Sequence, residues 1–190
     1  VQAKGQDVKT ILFFGDSITA GLGVDKQQAF PALIQHKIDS LGLHYEVLNG
    51  GLSGETSAGG LRRIDWVLQR SIDVFVLELG GNDGLRGIEL TSTRENLQRI
   101  IDKVQAKNAD TKILLAGMQV PPNLGIEYTR AFQAMYPKLA KANNIRLIPN
   151  IMDALGGNDE LVQSDGIHPT PKGHQVIAHT IWEVLKAYLK

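Results

Sequence analysis

Ser17 lies two residues beyond Gly15, where the apolar run Ile11-Leu12-Phe13-Phe14 stops abruptly. A hydroxyl held at the C-terminal end of a buried strand sits where open α/β sheets bind their ligands, and there it reads as a nucleophile. Such a nucleophile needs a base, a group that orients the base, and donors aimed at developing negative charge. Of the five histidines, His168 alone lies in a loop pinned by two prolines, Pro169 and Pro171, with a carboxylate, Asp165, three residues before it. Pro169 disfavours helix at His168, so the segment should be a fixed turn. That turn can bring the Asp165 carboxylate onto the imidazole, the part played by the third member of a catalytic triad. His36, His44, His174 and His179 sit in or beside helical or strand patterns and read as surface or packing residues.

Donors for an oxyanion come from two further segments, Gly51-Leu52-Ser53-Gly54-Glu55-Thr56-Ser57 and Gly80-Gly81-Asn82-Asp83. Gly54 lets a backbone N–H approach a substrate closely, Asn82 offers an uncharged amide, and the Ser17 N–H is a third candidate. Each segment also has a bland reading. Gly, Asn, Asp and Ser suit turns and helix caps, and Asp165 could simply cap a turn before a helix. What favours chemistry is that all these strand ends should fall on one edge of a parallel sheet.

The elements that must position them alternate. Residues 10–14, 45–48, 73–79, 112–116 and 145–148 read as strands, and the central ones are continuously apolar, as strands covered on both faces are. Residues 29–41, 57–69, 91–106, 127–142 and 172–189 carry helical periodicity. Alternation of this kind implies an α/β fold, a parallel five-stranded sheet with helices on both faces in one three-layer domain spanning residues 1–190. Residues 1–8 are polar and should be weakly attached.

Several chemistries are excluded. Position 19 is Thr, so Ser17 lacks a Gly-x-Ser-x-Gly elbow and should sit in a loop after the first strand. No Gly-Lys-Ser/Thr follows that strand, and Gly21-x-Gly23 lacks the third glycine of a dinucleotide fingerprint. His174 and His179 are five apart, not the four of a helical zinc site. With no cysteine, disulfides and thiolate catalysis are out. Twenty basic residues balance twenty acidic ones, which speaks against nucleic acid as a partner. No apolar run approaches the roughly 18 residues needed to span a bilayer.

Taken together, the blocks resemble the SGNH (GDSL-type) hydrolase family, and within it the bacterial arylesterase, thioesterase I and lysophospholipase branch. The first block is matched by Gly15-Asp16-Ser17-Ile18, with Ile in place of the usual Leu. The glycine block is matched at Gly54, the Gly-x-Asn-Asp block at residues 80–83, and the Asp-x-x-His block at Asp165 and His168. The branch is suggested by residues 79–87 and by the Met118-Gln119-x-Pro-x-Asn123 loop.

The resemblance implies a flavodoxin-like sheet of order 2-1-3-4-5 and a triad of Ser17, His168 and Asp165. It implies oxyanion donors at Ser17, Gly54 and Asn82, and neither metal nor organic cofactor. The expected reaction is hydrolysis of a small-molecule carboxylic ester or thioester through an acyl-enzyme. Asp16, Leu85, Ile88, Pro121, Leu124 and Tyr128, with Pro122, are candidates for the substrate surface, the last six as an apolar acyl or aryl groove. A carbohydrate acetylesterase with the same triad, a peptidase, and a non-catalytic flavodoxin-like binding module are the competing readings. Exported relatives and a start at Val1 point to a periplasmic or secreted protein, with a cytoplasmic one still open. Oligomeric state and acyl-chain length are not legible in the sequence.

Overall fold

The central strand sequences are continuously apolar because those strands are covered on both faces. In β1 (Lys9–Gly15), Ile11 and Phe13 point into one core while Leu12 and Phe14 point into the other. The chain then continues through α1 (Ser17–Ala20), α2 (Phe30–Ser40), β2 (Tyr45–Gly51), α3 (Ser57–Val67), β3 (Val74–Glu78), α4 (Gly81–Leu85) and α5 (Leu90–Lys107). It closes with β4 (Lys112–Ala116), α6 (Ile126–Ala142), β5 (Arg146–Ile148) and α7 (Pro171–Leu185). These elements are those of a computed structural model, which describes residues 8–156 and 158–189. Seven of the eight residues expected to be weakly attached, 1–7, lie outside that range.

The sheet has five strands in the order β2-β1-β3-β4-β5, and every neighbouring pair is parallel. One core packs α2 and α7 on Ile11, Phe13, Val74, Val76 and Leu114, with Phe30, Ile34, Ile38, Ile177 and Ile181 filling it. The other packs α3, α5 and α6 on Leu12, Phe14, Phe75, Leu77 and Leu115, through residues such as Ile64, Ile100 and Phe132. Strand alternation delivers each β residue to one core or the other, and the helical residues answer at a spacing of three to four. The expected three-layer fold and strand order are therefore the observed ones. Among the described residues, no helix is long and apolar enough to cross a membrane.

Three expectations need correction. Residues 17–20, expected as loop, form the single helical turn α1, and part of the segment expected as a strand-end loop at residues 80–83 opens α4. Helices this short carry no apolar periodicity from which to read them. The last helix also ends earlier than expected, at Leu185, and Lys186–Tyr188 form a 3₁₀ turn.

Helix α7 begins at Pro171, one residue earlier than expected, with the Thr170 hydroxyl accepting the Gly173 amide. Its first turn also buries His174 completely. The Phe30 amide, which has no partner inside α2, donates to His174 Nδ1 at 3.2 Å. The imidazole proton is therefore on Nε2, which is buried without a hydrogen-bond partner among the described residues. The ring stacks on Phe30. Burial, and then the neighbouring His168, lower its pKa from 6.5 to about 4. The folded protein thus holds this ring neutral while the unfolded chain takes up a proton below about 6.5. Its contribution to stability is present above that pH and is lost as pH falls toward 4. The Asn side-chain oxygen can take the Nδ1 position, so wild type and His174→Asn form the comparison. In thermal melts, the margin of wild type over the variant is expected to shrink steadily from pH 6.5 to pH 4. A margin independent of pH would contradict the assignment.

Candidate active site

The site is built where the strands end. Gly15 closes β1, paired with Gly51 of β2 on one side and Glu78 of β3 on the other. Asp16 then caps α1, its Oδ1 accepting the Ile18 amide at 3.0 Å. Ser17 is the first residue of that turn and is only 7% exposed, but its Oγ lies 2.8 Å from His168 Nε2.

His168 arrives from a loop folded by its own carboxylate. Asp165 Oδ1 accepts the amides of Ile167 and His168, at 2.9 and 3.0 Å, and Oδ2 lies 2.5 Å from His168 Nδ1. The bond to the His168 ring, helped by these two amides, lowers the Asp165 pKa to about 2. An ionised carboxylate can only accept, so the proton sits on Nδ1 and Nε2 is left to accept from the Ser17 hydroxyl. Gln163 ties this loop to the serine side, its amide donating to Leu22 O at 2.8 Å and to Pro169 O at 2.9 Å.

The donor side is equally connected. Asn82 Nδ2 donates to Asp16 Oδ2 at 3.2 Å and to Glu55 O at 3.0 Å. Because both partners are acceptors, the orientation of the amide is determined and both of its hydrogens are engaged. Asn82 thereby bridges the residue before Ser17 and the residue after Gly54. Gly54 itself has φ +78, a conformation that favours glycine, and its carbonyl accepts from Arg86 at 3.1 Å. Arg63 braces the loop: its guanidinium pairs with the buried Glu55 carboxylate, donates to Gly50 O at 2.7 Å and stacks 3.9 Å over the Phe14 ring.

Of the expected substrate-surface residues, Asp16 lies inside the protein. It is 2% exposed, with both carboxyl oxygens bonded inside the protein, and burial raises its pKa to about 6. The two following loops do meet: the Tyr128 hydroxyl donates to Ile88 O at 2.8 Å, and the Leu124 side chain lies against Gly87. Leu85, Leu124 and Pro121 are exposed there, while Ile88 and Tyr128 are half-buried. A separate groove of about 740 Å³, lined by residues including Arg94, Gln98, Met135 and Lys138 between α5 and α6, contains none of the expected site residues.

Sequence reasoning passed over Glu78, Arg63 and Gln163. Only Glu78 carried a signal, as a lone carboxylate closing the otherwise apolar Val74-Phe75-Val76-Leu77-Glu78.

The GDSL-like lipase/acylhydrolase family matches residues 13–176 of the chain. Esterase TesA of Pseudomonas aeruginosa is 40% identical over 182 residues, covering 95% of this chain and 90% of that protein. Thioesterase 1/protease 1/lysophospholipase L1 of Escherichia coli K12 is 40% identical over 170 residues, covering 89% and 79%. The crystal structure of the psychrotrophic esterase EstA from Pseudoalteromonas sp., inhibited by monoethylphosphonate, superposes with a TM-score of 0.90 at 31% identity, over 95% of this chain and 98% of that one. The chain belongs to the GDSL-like lipase/acylhydrolase family. It is an enzyme, a carboxylic ester hydrolase of the serine-esterase type. A non-catalytic binding module is set aside by that membership.

Asp83 separates support from chemistry. It is buried, accepting the Ser57 amide at 2.8 Å, the Ser57 hydroxyl at 2.5 Å and the Thr93 hydroxyl at 3.2 Å, and so joins α4 to α3 and α5. Removing it strands these buried donors. Asp83→Ala is expected to lose on the order of 3 kcal/mol in denaturant unfolding.

Proposed function

We propose that Ser17 is the nucleophile, His168 the general base and acid, and Asp165 the group that orients and charges the imidazole. The observation that carries this reading is the unbroken hydrogen-bond line from Ser17 Oγ through His168 to Asp165, with steps of 2.8 and 2.5 Å. In the first half-reaction His168 Nε2 takes the hydroxyl proton as Oγ attacks the acyl carbonyl. The imidazolium formed is stabilised by Asp165, which stays ionised. His168 then gives the proton to the leaving group, and water repeats the sequence on the acyl-enzyme to release a carboxylic acid.

The Ser17 and Gly54 amides and the Asn82 side chain are the proposed oxyanion donors. Asn82 reaches that role by sharing a hydrogen it gives to Asp16 or Glu55 in the resting enzyme. The reading treats residues 1–190 as one hydrolase domain, supported by the family match over 13–176 and by the single continuous sheet.

For substrate, we propose a small-molecule ester or thioester with an aryl or short-to-medium acyl group, lysophospholipids included. The exposed Leu85, Leu124 and Ile126 beside the site, and the name of the Escherichia coli relative, support this. Balanced acidic and basic counts argue against nucleic acid as a partner.

Ser17→Ala is expected to lower kcat by on the order of 10⁶. Asp165→Asn should cost about 10⁴ through loss of the correct tautomer, and Asn82→Ala about 10²–10³. Steady-state rates on p-nitrophenyl esters check all three, and an undiminished rate for Ser17→Ala would refute the mechanism. A panel of p-nitrophenyl, CoA, lysophospholipid, acetylated-sugar and peptide substrates tests the specificity. Acetylated sugars turning over fastest would replace the proposed class with carbohydrate esters, and peptides doing so would replace it with a peptidase.

A further inference from the structure

Glu78 is a buried acid near the proposed nucleophile to which the mechanism above gives no part. It ends β3 in the middle of the sheet and is 1% exposed. One of its oxygens, Oε2, accepts two hydrogen bonds from the turn that carries Ser17: the Asp16 amide at 3.3 Å, and the Thr19 hydroxyl at 2.6 Å. The donors flank the nucleophile, one residue before it and two after. Gly15 makes room for this arrangement, because a Cβ there would lie 2.5 Å from Glu78 Oε2 and 2.2 Å from Thr19 Oγ1.

We propose that Glu78 is a positioning residue for the nucleophile: its Oε2 clamps the Asp16 amide and the Thr19 hydroxyl, and so fixes where Ser17 Oγ stands relative to His168. The clamp needs an acceptor and not a charge. Glu78 Oε1 is buried and has no partner among the described residues, and a bare anionic oxygen in such surroundings is costly. A neutral acid fits what is seen, with Oε2 as the carbonyl that accepts twice and Oε1 as the hydroxyl. Burial, together with the nearby Asp16 carboxylate, raises the Glu78 pKa well above its ordinary value, in the same direction. Glu78 is thus distinct from Asp165, which is partly exposed, ionised and in contact with the base.

A neutral acceptor can be replaced by an amide of the same shape. The inference rests on Ser17 being the nucleophile, so a fluorophosphonate probe is first mapped on the wild-type enzyme by mass spectrometry. An adduct elsewhere than Ser17 overturns both readings. With the adduct on Ser17, kcat and KM are measured on a p-nitrophenyl ester for Glu78→Gln, Glu78→Leu and Thr19→Val, with thermal melts alongside.

Glu78→Gln is expected to stay within about threefold of wild-type kcat, because its carbonyl replaces Oε2. Glu78→Leu is expected to fall about 10²-fold in kcat with little change in KM, since misplacing a reacting atom affects the chemical step more than binding. Thr19→Val removes one of the two bonds at nearly constant shape and should cost about tenfold in kcat. It carries the test alone if the leucine variant does not fold. Glutamine as damaging as leucine would show that charge is required, and wild-type kcat in Thr19→Val would show that the turn holds itself. Either result overturns the inference while leaving Ser17 as the nucleophile.

Discussion

The site hangs on how the first strand ends. A parallel strand buried between helix layers must still pair the amides and carbonyls that follow its last ladder bond, because little water reaches them. Gly15 O accepts the Leu52 amide at 2.9 Å, the Asp16 amide goes to Glu78, and Asp16 Oδ1 takes the Ile18 amide. These bonds turn the chain sharply into α1 and leave Ser17 at its first position, with its hydroxyl toward His168. The serine stands where it does because its neighbours' backbone groups had to be satisfied.

The other strand ends are fastened to this turn and to one another. Arg63 joins the Glu55 carboxylate to the backbone at Gly50 and to the Phe14 ring, and Asn82 links Asp16 to Glu55. Asp83 anchors the segment after β3, and Gln163 ties the histidine loop to Leu22. The serine turn and the histidine loop are thus held by buried and half-buried side chains that each bridge two segments of the chain. The substrate side differs. Residues 121–127 are exposed, and Tyr128 and Leu124 touch the loop after α4 at Ile88 and Gly87.

Environment drives the two aspartates apart. Asp165, on the surface but hydrogen-bonded to His168 and two amides, is held down to about 2, while Asp16, buried beside Ser17, is raised to about 6. Accepting hydrogen bonds favours the charged form, and burial opposes it. Asp165 therefore stays ionised well below neutral pH.

Much of this was legible in the sequence. Five strands, the long helices and their order along the chain follow from apolar runs and a spacing of three to four, both local properties of the sequence. Ser17, Gly54, Asn82, Asp165 and His168 could be picked out because glycines and prolines mark where strands stop and loops are pinned. The one-turn helices α1 and α4 were not legible, being too short for a period, and the candidate Asp16 turned out to face inward. Tertiary structure alone decided which polar groups meet. Glu78 with Thr19 and Gln163 with Leu22 are separated by 59 and 141 residues, and no local pattern records such pairs. Only when the strands stack in the order 2-1-3-4-5 do their ends come close enough for buried donors to choose acceptors.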